Sequence, residues 1–68
     1  MEISISTEFI KLSQLLKLAD AVSSGSEAKN LILEGRVSVN GEIVFQKGKK
    51  IYKGDVVEVY EMGKIKVA

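Results

Sequence analysis

The chain contains no cysteine and no histidine. The first absence excludes a disulfide framework, a thiolate nucleophile and a cysteine-built metal site. The second removes the usual imidazole general base and zinc ligand. Aromatic residues are only 6% of the 68, so Ile, Leu and Val must fill the interior of an otherwise ordinary 46% apolar composition. No apolar run approaches the roughly 20 residues of a membrane span. The opening MEISIST lacks the basic region and long apolar stretch of a signal peptide. The expectation is a cytoplasmic single domain over 1–68, since a chain this short has no room for a second core.

A strong charge of one sign is also missing: the net charge is +1. The charges are unevenly placed, however. QKGKKIYKG, Gln46 to Gly54, holds four lysines and no acid, whereas the nine acids stand singly between Glu2 and Glu61. A nearly balanced domain can still present one basic face, and a polyanion meets a face. Taken alone, the run reads equally as a solvated lysine-rich turn.

Ile3 and Ile5 alternate with Ser4 and Ser6, a short strand signal, with extended chain continuing over Thr7 to Lys11. Leu12, Leu15, Leu16 and Ala19 fall at i, i+3, i+4 and i+7 and line one face of a first helix, for which Ser13 suits the N-cap. Leu18 and Val22 widen its apolar surface, and Val22 to Gly25 reads as a loop. A second helix opens with Ser24-Gly25-Ser26-Glu27, a capping box in which Ser24 caps the third N–H and Glu27 reaches back. Its buried stripe is Ala28, Leu31 and Ile32; Ser26, Lys29, Asn30 and Leu33 fall on the other side. Gly35 stands where a left-handed residue ends a helix.

Beyond Gly35 the period changes from helical to alternating. Val37 and Val39 form a strand, Asn40-Gly41 is the strongest short-range hairpin signal, and Glu42 to Phe45 pairs back. Lys53-Gly54-Asp55 turns the chain into VVEVY, and Met62-Gly63-Lys64 turns it again into Ile65 to Val67. The predicted fold class is α+β: two helices on a small, mostly antiparallel four- to five-stranded sheet, in the order β-α-α-β-β-β-β.

The segments KLSQLLKLA, SSGSEAKNLILEGRVSVNGEIV and KGDVVEV resemble, in the right order, the S-four RNA-binding domain of small-subunit ribosomal protein four. The likeness covers about 11–59, and EAKNLILEGRVSVNG is its most specific part. With the added N-terminal strand and SGSEAK, the chain is similar to the stand-alone bacterial subgroup of the YaaA and YbcJ type. The resemblance implies a non-catalytic module recognising structured RNA, ribosomal RNA or ribosomal particles, through phosphate and shape contacts. It implies contacts from Lys11 ahead of helix one, Ser24 and Ser26 at the start of helix two, and Lys29 and Asn30 on its outer face. Lys47, Lys49 and Lys50 would extend the basic rim, and Arg36 either joins it or lies over Phe45 or Ile43.

The chain departs from the family pattern in three places. Lys11 replaces a frequent Arg and keeps the charge without the bidentate fork. Ser13 replaces a frequent Asp, and Gly25 stands where many members have Arg, which leaves phosphate and shape contacts as the expected mode. Tyr52 and Tyr60 are read as packing residues of a small sheet rather than as stacking platforms.

Two other function classes fit parts of the pattern. A ubiquitin-like β-grasp sulfur carrier shares SVNGEIV and KGDVVEV, but such carriers use a C-terminal Gly-Gly and this sequence reads Ile65-Lys66-Val67-Ala68. A protein-interaction adaptor would use Leu33 or Phe9 as an apolar anchor. An enzyme is disfavoured, because no nucleophile is paired with a base and no glycine-rich loop joins a strand to a helix. No cofactor, metal, membrane or small-molecule substrate is expected, and the chain is expected to be a monomer.

Overall fold

The computed structural model describes all 68 residues. In chain order the elements are β1 (Glu2–Ile3), β2 (Phe9–Lys11), α1 (Leu12–Leu18), α2 (Gly25–Leu33), β3 (Val37–Val39), β4 (Glu42–Ile43), β5 (Lys50–Tyr52), β6 (Val56–Val59) and β7 (Gly63–Val67). The main sheet has the order β1-β7-β6-β3-β4, antiparallel except where β1 runs parallel to β7. The α+β class is as expected. Two strands are additional to the expected order: β2 and β5 pair antiparallel as a separate two-stranded ribbon.

The core is wholly apolar. Leu12, Leu15, Leu16, Ala19 and Val22 come from α1 and the loop after it, Ala28 and Ile32 from α2, and seven Val and Ile residues from the strands. No polar side chain is buried. Leu15, Leu16 and Ile32 are fully covered, and each such side chain contributes about 1.5–3 kcal/mol of burial. Leu18, expected to widen the stripe, is 57% exposed instead.

Both helices end in a Schellman motif. For α2, the Gly35 N–H donates to the Ile32 carbonyl (3.1 Å) and the Arg36 N–H to the Leu31 carbonyl (3.2 Å), with Gly35 at φ +73°. For α1 the matching bonds run from Asp20 to Lys17 (3.1 Å) and from Ala21 to Leu16 (3.0 Å), and Asp20 takes the left-handed position at φ 61°.

The helix starts differ from expectation in two details. Lys11, not Ser13, occupies the N-cap of α1, and no side chain caps it. Instead the N–H groups of Leu12 and Ser13 donate to the carbonyls of Lys49 (2.9 Å) and Lys47 (3.0 Å). The basic loop therefore satisfies first-turn donors that a helix cannot satisfy itself. At α2, Ser24 Oγ accepts the Glu27 N–H (3.2 Å) as expected, but the Glu27 carboxylate accepts the Ser23 hydroxyl (3.0 Å) rather than reaching back to Ser24.

Asn40 does more than turn the β3–β4 hairpin. Its Oδ1 accepts the Val56 N–H (2.9 Å) and its Nδ2 donates to Asp55 Oδ1 (3.0 Å), while Asp55 Oδ2 accepts the Tyr52 N–H (2.8 Å). Hairpin, Gly54-Asp55 turn and ribbon are thereby locked into one body.

Candidate nucleic-acid interface

Where the basic loop meets the N-termini of both helices, an open groove of about 590 Å³ is lined by Lys11, Ser13, Gln14, Gly25, Ser26, Lys29, Lys47 and Gly48. None of these is apolar and none is acidic. The groove exists because of backbone pairing. β2 delivers Lys11 to the N-cap of α1, and the two carbonyl bonds described above hold Lys47 against the same helix end. Opposite them, α2 presents Ser26 and Lys29, three residues apart and hence on one face of the helix.

The lining lysines of the groove have no ion-pair partner, and the one acid in the first turn of α2, Glu27, accepts the Ser23 hydroxyl. The only ion pair of the molecule joins Arg36 Nε to Glu34 Oε1 at 3.0 Å, so Lys11, Lys29 and Lys47 have no acidic partner. The first turn of α2 adds the amides of Gly25 and Ser26, which no intrahelical carbonyl can satisfy. Three ammonium groups and a helix N-terminus facing one hollow suit a multiply charged anion with spaced oxygens, as a phosphodiester backbone provides. Each is mounted on an element whose backbone is hydrogen-bonded.

Four of the nine sequence-derived candidates meet in this groove: Lys11, Ser26, Lys29 and Lys47. Ser24 stands at its edge as the α2 cap. Asn30 is exposed on α2 but does not line the groove. Lys49 and Lys50 border a second groove with Tyr52 and Asp55, and the Lys50 ammonium lies 4.9 Å from the centre of the Phe9 ring. Arg36 borders a separate cleft with Ser38, Ile43, Glu58, Tyr60 and Glu61, and is held by Glu34 rather than lying over an aromatic ring. Phe45 instead covers Gly35, where an added Cβ would stand 3.6 Å from its ring.

Sequence reasoning overlooked Gln14 and Gly48. Gln14 was within reach: three residues after Lys11 and off the Leu12, Leu15, Leu16 stripe, it shares the polar side of α1. Gly48 had no such signal, because its place depends on the Lys47 and Lys49 carbonyls finding α1.

The family model described as S4 domain matches residues 3–68. The chain is 49% identical over 65 residues to the probable ribosome maturation protein RlbA of Bacillus subtilis, an alignment covering 96% of this chain and 92% of that protein. It is 38% identical over 69 positions to tyrosine–tRNA ligase 2 of Pseudoalteromonas translucida, covering all of this chain but only 17% of the ligase. Among solved structures, a pseudouridylate synthase matches with a TM-score of 0.68 and 24% identity, over 74% of this chain and 21% of that one. That likeness speaks to the fold alone, and the activities in the last two names belong to those much longer chains.

Proposed function

The chain belongs to the S4 domain family, and from that premise we propose that it is a non-catalytic RNA-binding module acting on ribosomal RNA or ribosomal particles. The observation that carries this reading is the groove: three unpaired lysines, no acid and the start of α2 converge on one hollow. The near-full-length similarity to a ribosome maturation protein supports the ribosomal target. The whole of 1–68 acts as one RNA-binding domain, with the family-like part over about 11–59.

Recognition then proceeds by position and charge. A-form RNA hides its base edges in a deep, narrow major groove, so structured RNA is met through its shape, phosphates and 2′-hydroxyls. Lys11, Lys29 and Lys47 each take a phosphate, Ser26 and the first amides of α2 donate to intervening oxygens, and condensed counterions are released. Because the lysines hang on the end of β2, on α2 and on a loop tied to the first turn of α1, their spacing selects a phosphate arrangement rather than a base sequence. Lys49 and Lys50 on the second groove, Asn30 on α2 and the Ser24 cap supply further contacts outside the groove's lining. Arg36 contributes only as a peripheral charge, since its guanidinium is engaged by Glu34.

Two alternatives are tested by the same experiment. The adaptor reading has Leu33, 56% exposed on α2, as its anchor. The sulfur-carrier reading is opposed by the S4 domain match over residues 3–68. Co-sedimentation with ribosomal particles, with and without ribonuclease, followed by sequencing of crosslinked RNA, separates them. RNA-dependent sedimentation with crosslinks at Lys11, Lys29 or Lys47 is expected. Sedimentation that survives ribonuclease, without crosslinks, would support the adaptor.

A further inference from the structure

The β2–β5 ribbon carries a second feature that phosphate binding does not explain. In its register Phe9 faces Tyr52, Ile10 faces Ile51 and Lys11 faces Lys50. Side chains alternate along a strand, and Ile10 and Ile51 turn towards the core. Phe9, Tyr52, Lys11 and Lys50 therefore share the outer face. There the two rings stand 6.0 Å apart and tilted by 51°, and Tyr52 is 43% exposed rather than packed away as the sequence suggested.

Two lysines directly opposite across a strand pair repel each other, and neither has an acidic partner. Lys50 settles over the Phe9 ring, while Lys11 reaches into the phosphate groove. A cationic end beside an exposed aromatic end matches the two halves of a nucleotide. Glu42 and Asp55 share the groove beside Tyr52 with Lys49 and Lys50, and Asp55 anchors the Tyr52 backbone by accepting its N–H.

We propose that Phe9, Tyr52 and Lys50 form a stacking site for one unpaired nucleotide of the bound RNA, with its phosphate between Lys11 and Lys50 and its base on the Tyr52 ring. The site rests on the groove's binding RNA and deepens that reading: the module grips the junction between a structured segment and a nucleotide that has left the stack. Stacking on an aromatic side chain is tolerant of sequence because every base has a π-face. The preference is therefore for an unpaired position, not for a base.

The test compares two RNA probes, a blunt duplex and the same duplex with a short uridine overhang. Wild-type protein should bind the overhang probe about tenfold more tightly, the scale of one base–aromatic stack. Tyr52→Ala should lose that preference and bind the blunt duplex as wild type does, whereas Tyr52→Phe should keep it. Tyr52→Phe thus controls for loss of folding. An optical readout is available because the chain has no Trp and two Tyr. In a Tyr60→Phe background, the Tyr52 fluorescence should be quenched by the overhang probe and not by the blunt one. Equal wild-type affinity for the two probes, or an equal loss on both in Tyr52→Ala, would overturn the stacking site and leave the groove standing. Failure of wild type to bind either probe would remove both.

Discussion

The groove at the helix N-termini and the cleft beside Gly35 occupy one small molecule and differ in what they hold. Both are open, and their volumes, about 590 and 390 Å³, do not separate them. Their linings do. The groove has three lysines and no acid; the cleft has Arg36 against Glu58 and Glu61, with the apolar Ile43 and Tyr60 at its rim. Its one cation is already paired with Glu34. A basic residue near a family motif is thus no guide to binding on its own. What separates Lys29 from Arg36 is whether other cations face the same hollow and whether an acid has already taken the charge.

The contrast can be broken most severely by emptying the groove. Lys11→Ala combined with Lys29→Ala should weaken binding to structured RNA about a hundredfold, or ~3 kcal/mol, at the scale of two charge-assisted hydrogen bonds. Thermal melting should be nearly unchanged, because both side chains are exposed. On the cleft side, Gly35→Val should cost about 1–2 kcal/mol of stability by forcing a side chain into a left-handed conformation. An added Cβ would stand in ordinary contact with Phe45, 3.6 Å from its ring, so the cost at that atom is conformational. Measured below its melting point, this variant should keep its RNA affinity. Gly25→Arg sharpens the contrast in the other direction. Nothing lies within 4 Å of a Cβ built at Gly25, and a guanidinium there should raise affinity roughly fivefold through added phosphate contact. The smallest effect belongs to Arg36→Ala, which should change affinity and stability by less than about 0.5 kcal/mol, as exposed ion pairs do.

Much of this contrast is legible in the sequence. The Leu12, Leu15, Leu16, Ala19 spacing, the Ser24 cap, the Gly35 stop and the Asn40-Gly41 hairpin are local signals, and each forms where it was read. The β2–β5 ribbon was not legible. Each strand has three residues, and their pairing spans some forty positions of chain. No local period reports a contact of that separation. The same long-range pairing decides the groove, since Lys47 and Lys11 meet only through the carbonyl bonds to Leu12 and Ser13. The candidate list accordingly mixed residues that converge with residues that do not. Charge and family position nominated Arg36 and Lys47 alike, and tertiary placement parted them.

The central claim, that Lys11, Lys29 and Lys47 hold phosphates of a structured RNA, is tested most directly by the salt dependence of binding for wild type and Lys29→Ala. Three to four phosphate contacts should give a log–log slope near −3, so that wild-type affinity falls roughly 50-fold between about 50 and about 200 mM salt. Lys29→Ala should flatten the slope by about one and weaken all RNA sequences alike, since a phosphate contact carries no base information. An unchanged slope together with unchanged affinity in Lys29→Ala would contradict the groove as the RNA-binding face.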